Sequence, residues 1–338
     1  MRWWRSPTRP SSAGFGLFGL VGLFGLVRVV RILFRFVVFV SLALLAACGG
    51  GGSSSTFDST VVVNSLFDDS DPPSGTVTLR SALAAAASGQ VIRFDPSLDG
   101  GTIALSIVAD EHTRLKGEVM GMRDEPGGPV SYLVGWFDRD YGRSALVARK
   151  NVTIDAADLP AGITLAWAGG TPARVLAVEG NLSLVNVGVT GGHSVAEPLA
   201  VANPGDQPWT LARGGAVAVW GVARLRDCRL FDNHVEGDFD SSRDRGAFGG
   251  AVYADIVDMQ RCVVSGNSAL GAGAAGGGIY SVGGAGSTRT LSTIDSSAVS
   301  GSAIRGLFVY GAGIYSDGGG IGKANTLHSH VMPWVDQP

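Results

Sequence analysis

Four short stretches decide the fold: GGAVAV (214–219), GGAVYA (249–254), GGGIYS (276–281) and GAGIYS (311–316). Their aliphatic position recurs at Val217, Val252, Ile279 and Ile314, at spacings of 35, 27 and 35 residues. A companion motif reads VGVTGG (187–192), CRLFDN (228–233), CVVSGN (262–267) and SAVSGS (297–302); each copy alternates over one short strand and turns at Gly, Asp or Asn. From Gly214 to Asn233 the unit takes 20 residues, and from Gly249 to Asn267 it takes 19, with variable segments between. Units of about 20 residues with short alternating strands and glycine corners indicate a β-solenoid rather than helical repeats. No helical period competes, and glycine supplies the positive φ that tight corners need. The expected fold is all-β: a parallel β-helix with three strands per coil, each paired with its equivalent one coil away.

Composition agrees with that architecture. Of 338 residues 51 are glycine, 45% are hydrophobic and only 16% are charged. These values exclude a disordered polyelectrolyte, a coiled coil and a basic nucleic-acid binder. The clustered glycines lack the G-X-Y period of collagen, and three cysteines cannot build a disulfide scaffold.

The segment before the repeats reads as a cap. Val61–Asn64 starts a strand, residues 68–75 form an acidic, proline-containing loop, TLRSALAAAASG (78–89) predicts a short helix ended by glycine, and VIRFD (91–95) a strand. A solenoid needs its first coil covered, because the open end of its core is apolar and an aggregation edge. VVVNSLFDDSD and VTLRSALAAAASGQVIRFDPSLDGGTIAL resemble the N-terminal module of bacterial right-handed parallel β-helix proteins with a CSLREA consensus. The match lies at Thr78 to Leu83, with Val77 in place of the cysteine and Ser81 in place of the glutamate. The GGAV, GGGIY and VSGN repeats are similar to that family and to chlamydial polymorphic outer-membrane proteins. The chlamydial F-x-x-N motif survives as Phe231-Asp232-Asn233-His234, with the asparagine one residue out of place. The resemblance covers about residues 60–105 and 150–320. It implies a right-handed, secreted or surface β-helix and assigns no catalytic residue.

The N-terminus reads as an address. Residues 1–47 carry six arginines and no acidic residue, and the apolar stretch 36–47 has the length of a signal h-region, short for a membrane span. It ends in Leu45-Ala46-Ala47-Cys48-Gly49, which resembles the bacterial lipobox; that resemblance makes Cys48 the lipidated first residue of the mature protein. A leader of 47 residues is long for a signal, so a start near Val29 or Val30 is expected. Residues 48–60, with GGGGSSS (49–55), fit a flexible tether. Beyond residue 47, 20 basic side chains face 29 acidic ones, a net charge of −9 that disfavours nucleic acid and anionic lipid as partners.

The expected organisation is a signal peptide (1–47), the tether, an N-terminal cap and first coil (61–107), an insertion (108–148), β-helix coils (149–320) and an irregular tail (321–338). After GAGIYSDGGGIGKANT the repeat pattern calls for another hydrophobic strand and an S-G-N corner. The chain instead reads LHSHVMPWVDQP, an improvised cap or the mark of a truncated gene.

Coil alignment then tests for chemistry. With Cys228, Cys262 and Ser297 in register, the preceding position holds Asp227, Arg261 and Ser296, and the one before it Arg226, Gln260 and Asp295. Asp227 and Arg261 read as a surface ion pair. Asp255 and Asp317 share a position two coils apart, so the repeats offer no adjacent carboxylate dyad. Trp136, Asp138, Arg139, Asp140, Tyr141 and Arg143 in the insertion combine acids, guanidiniums and aromatics able to grip a sugar chain or a protein partner, though salt bridging within a surface loop explains them too. Asp238, Asp240, Ser242 and Asp244 place oxygens at alternate positions like the start of a calcium loop, without the EF-hand glycine and glutamate. Calcium would be the cofactor of such a loop, and a solvated loop is the expectation.

Cys228 and Cys262 should stack about 4.8 Å apart, a separation compatible with a disulfide or with two inward thiols, the latter preferred. Tyr253, Tyr280 and Tyr315 predict an aromatic ladder, and Asn233 and Asn267 a repeated corner hydrogen bond. His328 and His330 form at most a weak metal site. The expected function is that of a lipid-anchored protein of the bacterial cell envelope, on the outer membrane or cell surface, with a structural, adhesive or glycan-binding role. The alternatives are a polysaccharide lyase or glycoside hydrolase on the insertion-lined face, and a fragment of a longer surface protein.

Overall fold

Alternation of inward apolar and outward polar side chains governs the strands. The computed structural model describes residues 60–109, 142–196, 212–237, 246–283 and 292–317 in full, together with the backbone of 118–125, 128–134, 321–322 and 327–331. Val152 and Ile154, Leu182 and Leu184, and Val187 and Val189 are buried while their neighbours in the strand are not. Period-two burial of this kind lets each strand give one face to a core and leave the other to water.

Three long sheets result, and every strand pairing in them is parallel. One circuit shows the path. Val217–Arg226 lies in the first sheet, Arg229–Phe231 and His234–Glu236 form two legs of the second, and Ala247–Phe248 lies in the third. Val252–Gln260 then re-enters the first sheet beside Val217–Arg226. Successive equivalents are typically 34 or 35 residues apart, as between Cys228 and Cys262 and between Cys262 and Ser297. The 20-residue unit of the motifs therefore covers only the first and second sheets; the third sheet's strands lie in the stretches that the sequence left as variable.

The core has two main compartments. The larger is built from Val, Leu and Ile of the first and second sheets. The smaller, around Ala212, Val235, Ala247, Ala269 and Ala274, joins the second leg of the second sheet to the third and is nearly all alanine. Two kinds of corner connect the sheets. Gly214, Gly249, Gly276 and Gly311 share φ between 56° and 69°, and a Cβ there would sit 2.0–2.3 Å from a backbone carbonyl oxygen three residues on. No other residue fits these positions. The turn from the first sheet to the second instead uses Asn186, Asp227, Arg261 and Ser296, all at φ between 49° and 55°. These side chains accept the left-handed conformation at a cost.

At the N-terminal side, Leu79–Ala85 forms helix α1. Thr78 caps it reciprocally with Ser81, and Leu79, Ala82 and Leu83 are buried in the main core. The helix stops at Ala86, whose backbone is extended, not at the glycine expected to end it. Arg80 and Asp68 tie it down: the guanidinium donates to both carboxylate oxygens at 2.8 and 3.1 Å, and to the carbonyls of Ala145 and Ile107 at 2.7 and 2.8 Å.

Two expected boundaries change. The insertion ends earlier than residue 148, because Ser144–Ala148 is already a first-sheet strand pairing in parallel with residues of Arg174–Glu179. Within the insertion, Glu118–Glu125 and Gly128–Val134 form an antiparallel pair. The segment expected as an irregular tail contributes strands as well. Ile321–Gly322 pairs with Ser292–Thr293, and Leu327–Val331 runs along Val299–Ile304. Among the described residues no helix is long and apolar enough to cross a membrane.

Candidate functional site

The expected ladders are brought together as aligned. The backbone N–H of Cys228 points at Cys262 Sγ at 3.3 Å, and that of Cys262 at Ser297 Oγ at 2.9 Å. Both cysteines are free and buried. The hydrogen bond to Cys262 and burial push the Cys228 thiol up, so it stays protonated at neutral pH. Asn233 and Asn267 are fully buried, and Asn267 Oδ1 accepts from both the backbone N–H and the Nδ2 of Asn233 at 3.0 Å. Tyr253 and Tyr280 stack with centroids 5.5 Å apart and planes 6° apart, and Tyr315 continues the row at 5.4 Å. This row packs on the outside of the first sheet with Ala218 and Ala275, flanked by Trp220 and Phe248. Arg213 lies over the Tyr253 ring at 5.2 Å. Burial, then the Asp317 carboxylate, pushes the Tyr280 hydroxyl well above its ordinary range. These ladders are packing devices.

Asp227 and Arg261 form the expected surface pair, with contacts of 2.6 and 2.7 Å. Trp136, Asp138, Arg139, Asp140 and Tyr141 lie outside the described residues, as do Cys48 and the Asp238, Asp240, Ser242, Asp244 loop. Arg143 is described: its carbonyl accepts the backbone N–H of Arg174 at 3.0 Å, placing its backbone beside the start of the strand Arg174–Glu179. Trp167 and Trp220 lie on strands of different sheets. Trp167 ends the strand Ile163–Trp167 and Trp220 lies within Val217–Arg226, and Trp167 Nε1 donates to the Thr171 carbonyl at 2.9 Å.

A concavity lies elsewhere, on the outer face of the first sheet. It is an open cleft of about 510 Å³. Two rows of register partners floor it: Ser183, Arg224, Asp258 and Thr293, and beside them Val185, Arg226, Gln260 and Asp295. Strand alternation turns these residues outward and leaves Ala223, Leu225, Val257 and Met259 in the core. Thr293 Oγ1 donates to Asp258 Oδ1 at 2.6 Å, which orients that carboxylate. Asp258 and Asp295 sit on neighbouring strands, two positions apart diagonally. Two guanidiniums and two carboxylates thus share one polar floor. Sequence alignment found the row of Arg226, Gln260 and Asp295. It missed the row of Arg224 and Asp258, which reading two residues further back along the same alignment would have found.

The chain matches no family model, no curated protein and no solved structure.

Proposed function

We propose that the chain is a right-handed parallel β-helix, closed at its first coil by helix α1 and held on the bacterial cell envelope through lipidated Cys48. In this reading it is a stiff structural or adhesive element whose outer cleft engages a neutral or mixed-charge glycan or a protein partner. The observation that carries it is the unbroken set of parallel partners running from coil to coil in all three sheets. Parallel crossovers within one sheet are right-handed in about 98% of cases, which supplies the hand. The leader and its Leu45-Ala46-Ala47-Cys48 sequence supply the anchor. Fatty-acid labelling in a bacterial host tests it: the protein takes up label and Cys48→Ala does not. Label retained in that variant, or absent from the parent, refutes the anchor.

A second reading, a polysaccharide lyase or glycoside hydrolase, draws on Asp258 and Asp295 beside Arg224 and Arg226 in the cleft. Incubation with a panel of acidic and neutral polysaccharides separates the two. Binding without new reducing or unsaturated ends supports the adhesive role; ends that form with the parent but not with Asp258→Asn or Asp295→Asn support the enzyme.

A further inference from the structure

The residue following each corner motif of the second sheet is, in turn, His193, His234, Ser268 and Ala303, and these are register partners on successive strands. Glu236 lies two residues beyond His234, and alternation puts it on the same outward face, with Val235 between them buried. His193 Nε2 is 3.3 Å from Glu236 Oε2, and the two imidazole centroids are 4.9 Å apart. Ligand-capable atoms of all three side chains lie within 4.8 Å of one another. We propose that His193, His234 and Glu236 form a binding site for a borderline divalent transition-metal ion of the zinc class. Two imidazoles and a carboxylate are the donor set such an ion takes, in preference to the all-oxygen shell of calcium or magnesium.

Distance and support both favour this. Ligands at about 2.0–2.2 Å from a tetrahedral zinc are about 3.4 Å from one another. The His193–Glu236 contact already has that separation, and side-chain rotation of His234 closes the rest. Ser268 Oγ lies 2.6 Å from His234 Nδ1. With Nδ1–H donated to that hydroxyl, Nε2 keeps its lone pair for the ion, the arrangement by which second partners orient ligating histidines. The three ligands come from two adjacent parallel strands, so the backbone spacing is fixed by the sheet. Three protein ligands leave a fourth position for water, and the side chains of His193 and Glu236 are 34% and 41% exposed, which gives the ion a way in. The site rests on strand register alone, independently of the envelope anchor and the cleft.

The test is calorimetric titration of the chelator-stripped full chain with Zn²⁺ alone, paired with the visible spectrum after Co²⁺ substitution. One ion per chain is expected, with a tetrahedral cobalt spectrum. Ser268→Ala should weaken binding by about 10- to 100-fold, and His234→Gln or Glu236→Gln by more. Glu236→Gln is close to isosteric at a half-exposed position, so it reads the site even if His234→Gln fails to fold. His328→Gln/His330→Gln should bind as the parent does. No stoichiometric binding by the parent, full binding by Glu236→Gln, or loss of binding in the His328/His330 variant would each overturn the assignment.

Discussion

Replacing Asn267 with alanine should destabilise the protein by about 3–4 kcal/mol. Asn267 is fully buried, and its amide uses both ends. Nδ2 donates to the carbonyls of Leu230 at 2.9 Å and Ser265 at 3.0 Å, while Oδ1 accepts from the backbone N–H and the Nδ2 of Asn233, both at 3.0 Å. Truncation removes all four contacts. Each is worth about 1 kcal/mol net, and a buried donor or acceptor left without a partner costs about 1–3 kcal/mol. Asn233 retains its own bonds to the Val189 and Phe231 carbonyls and to the Gly192 N–H, so its side chain stays in place and part of the loss is contained. Urea denaturation of parent, Asn267→Ala, Asn233→Ala and the double variant gives the total and, by a double-mutant cycle, the coupling between the amides. Hydrogen exchange at the 192 and 233 amides localises the effect, which matters because repeat arrays can unfold in parts. A loss below about 1 kcal/mol with no coupling would refute the ladder as a stabilising element.

Other outcomes follow from single contacts. Burial opposes ionisation of Asp68, but its bond from Arg80 and the backbone N–H groups of Ile107 and Ser106 outweigh this and hold its pKa below the ordinary carboxylate value. The stability it contributes is therefore full above the unfolded pKa of about 3.9 and is lost as pH falls through the lower folded value. Exchange protection around α1 should drop at acid pH in the parent, and Asp68→Asn should remove that pH dependence while costing about 3 kcal/mol at neutral pH. Cys228 and Cys262 should resist iodoacetamide in the native protein and react once it is unfolded, as mass spectrometry of the alkylated peptides would reveal. Ser302, next in register after Asn267, has a buried hydroxyl without a hydrogen-bond partner. Ser302→Ala should therefore leave stability unchanged or raise it by up to about 1 kcal/mol in the same urea titration.

Much of the parallel framework was legible because its devices are local. The glycine corners at 214, 249, 276 and 311 show in the sequence as a recurring dipeptide or its near copy, and the alternation after them gives strand and face together. Register was legible wherever a distinctive residue repeated, which is why the Cys228, Asn233 and Tyr253 rows and the Asp227–Arg261 pair could be aligned. The third sheet was not: its strands Ala212–Arg213 and Ala247–Phe248 are two residues long and alanine-rich, with no period to detect. Nor was the C-terminal strand, because parallel backbone pairing with Val299–Ile304 can hold Leu327–Val331 without a hydrophobic signature. The cleft and the histidine site required aligning outward positions, which carry no hydrophobic signal. His193 and His234 nevertheless each follow a corner motif directly, so the pairing was present in the alignment unused.

Cross-linking of neighbouring coils addresses the parallel stacking itself. Arg229 and Val263 are exposed register partners on adjacent strands of the second sheet, whereas Ser265 is offset from Arg229 by two residues. In a parallel stack with Cα atoms about 4.8 Å apart, Arg229→Cys/Val263→Cys should form a disulfide under mild oxidation without loss of stability. Arg229→Cys/Ser265→Cys should not. Efficient cross-linking of the offset pair, or none of the matched pair, would contradict the coil register on which the fold, the cleft and the metal site all depend.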